Sequence, residues 1–316
     1  MKRVALTGVF VAACVVQTAW VVFTQTAKPA RPVRQEKVKD NLYVLSGEGG
    51  NVAVYVTSEG VILVDDMFDR NHDDILAQVK MITNQPLKYV INTHQHDDHA
   101  GGDAKMLPIV EVIAHRNARA NLVAKRQPYY EDTPGTPIGL PRITFSDETA
   151  VYLGGKEVRA QYFGRGHTNG DAVISFPELR VIHTGDLFLG QGPGRAGAPT
   201  RPPGSNIFID YAQGGSLVDW TRTLDGVLRL DFDIAIPGHG PVSTKADVTK
   251  FRAGVEAMRG RLLDLIGHGA TRDAVVNTLE ADYGWRAKGC PPSPPTGGCL
   301  AIQQVDSLIA ELKSAR

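Results

Sequence analysis

The order of apolar runs along the 316-residue chain predicts a layered α/β fold, with sheets inside and helices outside. Three observations lead there. The first part holds short β-branched and aromatic runs parted by glycine-bearing turns. The middle alternates strand-like and helix-like patterns. The last third carries apolar stripes that step by three and four, the helical period. The composition is that of a globular chain, 42% hydrophobic and 22% charged. Its 34 Lys and Arg balance its 34 Asp and Glu, so no net positive field is available to grip a phosphate backbone. Nucleic acid is therefore not an expected partner.

At the N-terminus, Lys2 and Arg3 precede an apolar stretch from Val4 to Phe23. It is long enough to cross a hydrocarbon core as a helix, and it also has the pattern of a secretory signal. Gln25-Thr26-Ala27 is a poor cleavage site. Val11-Ala12-Ala13-Cys14 resembles a bacterial lipoprotein box that would lipidate Cys14, although the chain stays apolar well beyond it. Each reading exports the folded part to the periplasm or cell surface, with the membrane met only through this segment. Residues 1–30 are set apart as signal or anchor plus linker, Lys28-Pro29-Ala30-Arg31-Pro32 being linker-like. Residues 31–316 are expected to form one domain. Cys290 and Cys299 bracket a proline-rich run, and in an oxidising compartment the pair reads as a disulfide.

Leu42 to Leu45, Asn51 to Thr57 and Val61 to Val64 describe an antiparallel meander, with Ser46-Gly47-Glu48-Gly49-Gly50 and Ser58-Glu59-Gly60 as its turns. Asp74 to Ile82 is helical in pattern, and Tyr89 to Thr93 is a buried strand. Val110 to Ala114 leads into a helix near Asn117 to Lys125. Further strands are expected at Val158 to Phe163, Ala172 to Phe176 and Arg180 to Thr184, before a Gly/Pro-rich segment from Gly190 to Gly215. Ser216 with Asp219 reads as a capping box, and Leu217, Trp220, Leu224 and Val227 share one face. Val248, Phe251, Val255, Met258, Leu262 and Leu265 line a second helix, stopped by Gly267.

The chemistry sits at strand ends. Directly after the strand at 89–93 comes His94-Gln95-His96-Asp97-Asp98-His99, then Ala100-Gly101-Gly102. Alternate residues on extended chain face one way, so His94 and His96 can address one ion, and the turn lets Asp98 and His99 address a second position. Imidazole and carboxylate without thiolate suit Zn²⁺, with Fe or Mn as alternatives. His167, Asp186 and His239 each follow a strand in glycine-flanked turns. His72, His115, His183 and His268 read as surface or packing residues, and Asp97 and Asp171 as exposed or capping ones.

The series HxHxDH at 94–99, with His167, Asp186 and His239 in order, resembles the metallo-β-lactamase superfamily of metal hydrolases. The resemblance runs from about Leu42 to His239 and takes in the helices beyond. It implies a four-layer αββα sandwich, two sheets face to face with helices outside and metals at one edge. It also implies that His94, His96 and His167 hold a first metal, that Asp98, His99 and His239 hold a second, and that Asp186 bridges them. Asp65, after Val61 to Val64, resembles the family's supporting aspartate.

The function so implied is an exported dinuclear zinc hydrolase acting on a small ester, lactone or thioester. A hydroxide bridging two Zn²⁺ ions would be the nucleophile, water's pKa falling from near 15.7 toward about 7. Asp98 would be both ligand and catalytic proton shuttle. His96 stands where flavin-linked diiron reductases carry glutamate. Asp186 stands where true β-lactamases of the superfamily usually carry cysteine or serine. Two alternatives stay open: a β-lactam-hydrolysing enzyme, and a mononuclear-iron oxidoreductase of the same fold. In the 190–215 segment, Arg195 and Arg201 are candidates to receive a carboxylate, and Phe208 and Tyr211 to form an apolar wall.

Overall fold

A computed structural model describes residues 32–124, 139–190, 202–205, 207–285 and 304–315. The segment Val4–Phe23, Cys14, Arg195, Arg201, Cys290 and Cys299 lie outside the described residues. Among the described residues, no helix is long and apolar enough to cross a membrane.

Two mixed sheets form the middle of the molecule. The first runs in chain order through β1 (Arg34–Lys39), β2 (Leu42–Ser46), β3 (Val52–Val56), β4 (Val61–Val64), β5 (Leu87–Ile91), β6 (Glu111–His115) and β7 (Ile143–Phe145). It is antiparallel as far as β4 and parallel from β4 to β7. The second contains β8 (Glu148–Leu153), β9 (Lys156–Tyr162), β10 (Ala172–Phe176), β11 (Val181–His183), β12 (Ile234–Ile236) and β13 (Ser243–Thr244), in the order β13-β12-β11-β10-β9-β8. Its one parallel pair is β11 with β12.

Side chains alternate across a strand, and here both faces are covered. Ile62, Val64, Ile91 and Ile113 meet Val158, Ala160, Ile174 and Phe176 of the other sheet in a central core. Their neighbours Val61, Leu63, Val90 and Val112 point outward onto Ile75 and Val79 of α1 (His72–Ile82) and onto Met106. On the far side, Val173, Ile182 and Ala235 pack against α5 (Leu217–Leu228), α6 (Lys245–Gly267), α7 (Arg272–Tyr283) and α8 (Val305–Ser314). Shorter helices α2 (Asp97–Ala100), α3 (Asp103–Met106) and α4 (Arg116–Val123) follow β5 and β6. The result is helix, sheet, sheet, helix, the expected αββα sandwich.

Several boundaries differ from expectation. β5 ends at Ile91 rather than Thr93, and α1 begins at His72 rather than Asp74. The reciprocal capping box belongs to Thr244 and Asp247 at the start of α6. Ser216 does cap α5 by accepting from Asp219 N, but the Asp219 carboxylate turns away to Arg165 and Arg222. α6 includes Gly267, and Gly269 takes the left-handed conformation that ends it (φ 77°). β1, β7, β8, β13, α7 and α8 were not expected. β1 is largely exposed and charged, and β13 has two residues, so neither leaves an apolar period to read.

The C-terminal ends of β4, β5, β11 and β12 open on the same edge of the sandwich. The parallel pairs β4–β5 and β11–β12 therefore present their following turns side by side, as open α/β sheets do.

Candidate metal centre

All seven sequence-predicted residues meet at that edge. His94 Nε2 lies 3.1 Å from His96 Nδ1, which lies 2.9 Å from His167 Nε2. Beside this trio, His99 Nε2 is 3.3 Å from His239 Nε2, and His239 Nε2 is 3.1 Å from Asp98 Oδ2. Asp186 stands between the groups: Oδ1 is 3.2 Å from His99 Nε2, and Oδ2 is 3.6 Å from His167 Nε2. Three sets of donor atoms each lie within 4.8 Å of one another: His94/His96/His167, His94/His99/Asp186 and Asp98/His99/His239.

The outward-facing nitrogens decide what the inward-facing ones are. His99 Nδ1 donates to Asp65 Oδ2 (2.8 Å), His96 Nε2 to Asp210 Oδ2 (2.9 Å) and His167 Nδ1 to the Phe208 carbonyl (2.7 Å). Thr93 Oγ1 gives its proton to Asp65 Oδ2 (2.8 Å), so it accepts from His94 Nδ1 (3.1 Å). Each neutral imidazole carries one N–H. In their neutral forms, the inner nitrogens of His94, His96, His99 and His167 are then all lone pairs, open to a metal or, on His96 and His99, to a proton. Lone pairs about 3 Å apart repel unless a proton or a metal cation lies between them, and a metal ion satisfies all of them at once. Asp98 Oδ1 is also buried without a hydrogen-bond partner. A donor set of this kind fits divalent zinc, and the anchoring of each outer nitrogen is how metal-binding histidines are oriented.

The electrostatics divide the cluster in two. Burial pushes His94 well below the usual imidazole range, the neighbouring His99 and His96 adding to it, and burial brings His167 down to about 4. Burial acts the same way on His96, His99 and His239, but carboxylates outweigh it and raise all three: Asp210 beside His96, Asp186 and Asp98 beside the others. In return, the neighbouring His99 and His239 hold Asp98 and Asp186 below the usual carboxylate range against the effect of burial. An ionised carboxylate pair that draws protons onto His99 and His239, beside the neutral His94 and His167, is a site for positive charge.

Local chain geometry makes room for this crowding. A Cβ on Gly50 would overlap the His99 ring, and one on Gly238 would overlap Asp186 Oδ1. Asp65 and Met67 both take positive φ (63° and 57°), so the turn after β4 holds strain beside the cluster.

Some contributors escaped the sequence reading. Asp210, Thr93 and the Phe208 carbonyl anchor imidazoles, as above. Asn51 donates to the carbonyls of Pro237 and Gly240 (2.9 Å each), clamping the turn that carries His239. His183, expected as a surface or packing residue, is fully buried behind the site: Nε2 donates to the Asn51 carbonyl (3.0 Å), and Nδ1 accepts from Gly185 N next to Asp186 (3.1 Å). No periodicity marks any of them. His115 is a packing residue, stacked on Tyr162, and His268 is exposed, both as expected. Asp171 caps the Thr168 turn as expected but is buried, and burial raises it to about 7. Phe208 packs at 6.1 Å over His96, and Tyr211 turns to Glu311.

Comparison with known proteins agrees with this geometry. The family model described as "Metallo-beta-lactamase superfamily" matches residues 45–239. A metallo-beta-lactamase type 2 from Bacillus cereus is 27% identical over 213 residues, covering 66% of this chain and 74% of that protein. Metallo-beta-lactamase IND-1 from Chryseobacterium indologenes is 24% identical over 219 residues, covering 66% and 82%. Among solved structures, a metallo-beta-lactamase from Pontibacter korlensis superposes with a TM-score of 0.58 at 18% identity, over 71% of this chain and 99% of that one. The DIM-1 metallo-beta-lactamase does so at 0.57 and 19%, over 72% and 99%. The sandwich, the strand-end cluster and the family match over residues 45–239 have one reading: the chain belongs to the metallo-beta-lactamase superfamily and is a metal-dependent hydrolase.

Proposed function

We propose that this protein is an exported hydrolase of small esters, lactones or thioesters that works with two metal ions, zinc in the first place. The observation that carries the reading is the convergence of inward nitrogens on histidines whose outer nitrogens are already committed. His94, His96 and His167 would hold one ion, Asp98, His99 and His239 the other, and Asp186 would bridge. Ions so held supply water ionised near neutral pH and a Lewis acid for the carbonyl.

The chain's own residues do the rest. Asp98 reaches His239 through Oδ2 and keeps Oδ1 unpartnered, which suits it to take a proton from water and return it to the leaving alcohol or thiol. Asp65, Asp210 and the Phe208 carbonyl keep the imidazoles from turning. Beside His239 lies a groove of about 360 Å³ lined by Glu36, Ser46, Glu48 and Asn51. Its formally charged side chains are carboxylates, with Arg70 held on Glu48 from outside the lining (3.0 Å). Such a rim favours neutral or cationic acyl groups over those bearing a carboxylate, as β-lactam antibiotics do. Asp186, where β-lactamases of the superfamily usually carry cysteine or serine, leans the same way.

β-Lactam hydrolysis is the second reading, favoured by the relatives being metallo-beta-lactamases. We read residues 4–23 as the signal or anchor that exports the enzyme, and residues 31–316 as its catalytic domain, helices α5 to α8 included. Elemental analysis with a panel of lactam, lactone, thioester and phosphodiester substrates tests the proposal. About two equivalents of zinc and chelator-sensitive turnover of lactones or thioesters are expected. Turnover confined to lactams would hand the assignment to the second reading.

A further inference from the structure

The loop 207–217 has two faces. Toward the cluster it offers the Phe208 carbonyl to His167 Nδ1 (2.7 Å) and the Asp210 carboxylate to His96 Nε2 (2.9 Å). It is also tied to the strand-end turns, Asp210 N donating to the His167 carbonyl (2.8 Å) and Ser216 N to the Gly166 carbonyl (2.8 Å). Away from the cluster it meets a single carboxylate of α8. Glu311 Oε2 accepts from Tyr211 Oη (2.7 Å) and from Leu217 N (3.1 Å), and Oε1 accepts from Ser216 Oγ. Gln304, just before α8, accepts from Tyr211 N (3.0 Å).

Leu308 and Leu312 anchor α8 in the outer core. Glu311 itself lies against the first turn of the twelve-residue helix α5, where the helix dipole and N–H groups without partners inside the helix favour an anion. Burial and the Glu311 charge raise Tyr211, so its hydroxyl stays protonated and keeps donating. Glu311 thus ties the middle of the loop at Tyr211, next to Asp210, to its end at Ser216 and Leu217, just after the residues that anchor His96 and His167. All of α8 falls outside residues 45–239.

We infer that Glu311 is a positioning residue for the His94/His96/His167 trio: α8 is a latch that fixes the 207–217 loop, and through Asp210 and Phe208 it sets the orientation of two imidazoles. This rests on reading the trio as a metal site. A residue that merely stabilised α8 would change the melting point and nothing at the cluster.

The test uses the full chain, stripped of metal and titrated with cobalt(II), with the visible d–d absorption and the affinity of the first equivalent as readouts. Glu311→Ala is expected to weaken the first equivalent about tenfold and to alter its spectrum. Glu311→Gln, which keeps an acceptor for Tyr211 and Leu217, should restore most of the affinity. Leu308→Ala trims the outer-core packing of α8 but keeps the Glu311 carboxylate, so it should lower the melting point with a much smaller loss of cobalt affinity than Glu311→Ala. If Glu311→Ala does not fold, Tyr211→Phe removes one latch bond and should weaken the first equivalent by about threefold. Cobalt affinity and spectrum equal to wild type in Glu311→Ala, or in Tyr211→Phe where that variant replaces it, would overturn the latch and leave the metal site standing. A wild-type protein that binds no cobalt would overturn the metal site, and the latch with it.

Discussion

Asp65 Oδ2 accepts from His99 Nδ1 across 2.8 Å, with both side chains fully buried. The same carboxylate accepts from Thr93 N (2.7 Å) and Thr93 Oγ1 (2.8 Å), so one residue after β4 orients two histidines after β5. Asp65→Ala should weaken metal binding by about 10–100-fold and destabilise the metal-free protein by about 1–3 kcal/mol, from donors left unpaired. Asp65→Asn tests direction as well as loss. An amide N–H facing His99 would drive its proton to Nε2, so zinc should fall by close to one equivalent. Metal competition titration and elemental analysis check both.

Asp66 and Asp103 form a second buried carboxyl pair beneath the cluster. Asp66 Oδ1 accepts from Gly102 N (2.9 Å), and Asp103 Oδ2 accepts from Asn92 Nδ2 (2.6 Å). Burial and the Asp103 charge lift Asp66 well above the usual carboxylate range, and burial lifts Asp103 to about 8. The folded chain keeps a proton that the unfolded chain loses near pH 4, so this pair's contribution is fully present below pH ~4 and declines as pH rises toward ~8. Asp103→Asn keeps an acceptor for Asn92 and offers an N–H to Asp66. It should flatten the decline and add about 1–2 kcal/mol at pH 9 relative to pH 5. Urea unfolding at pH 5, 7 and 9 measures this, and parallel pH profiles for the two proteins would refute it.

Gly238 passes so close to Asp186 that a Cβ would occupy the place of Oδ1. Gly238 N also donates to the Gly185 carbonyl (2.8 Å), which leaves the turn little room to withdraw. Gly238→Ala should cost about 1–3 kcal/mol by overpacking and, by moving Asp186, more than tenfold in turnover. Thermal unfolding beside kinetics separates the two effects.

Glu48 lines the groove beside His239. Glu48→Lys should improve KM for a carboxylate-bearing substrate about fivefold, leave a neutral ester nearly unchanged, and do so less at high salt. Equal effects on charged and neutral substrates would show that the groove does not contact the acyl group.

Much of the fold and of the site is legible in the sequence. Val61 to Val64 and Val112 to Ala114 are short apolar runs that suit strands buried on both faces, and they are indeed covered on each side. The 94–99 segment declares its chemistry because all its donors lie within one turn of chain. Glycine-flanked turns after apolar runs located His167, Asp186 and His239, since strand ends in layered α/β folds must turn at the edge where the cluster forms.

What the chain order alone determined is the donor inventory and the layering, because periodicity and local turn chemistry are properties of neighbours in sequence. Only tertiary structure decided which polar residues hold those donors in place. Asp210 meets His96 across 114 positions, and Asn51 meets Pro237 across 186, each as a single polar residue in a loop without any period. A hydrogen bond of that span is specified by how the two sheets and the helices outside them pack, so it has no local signature to read.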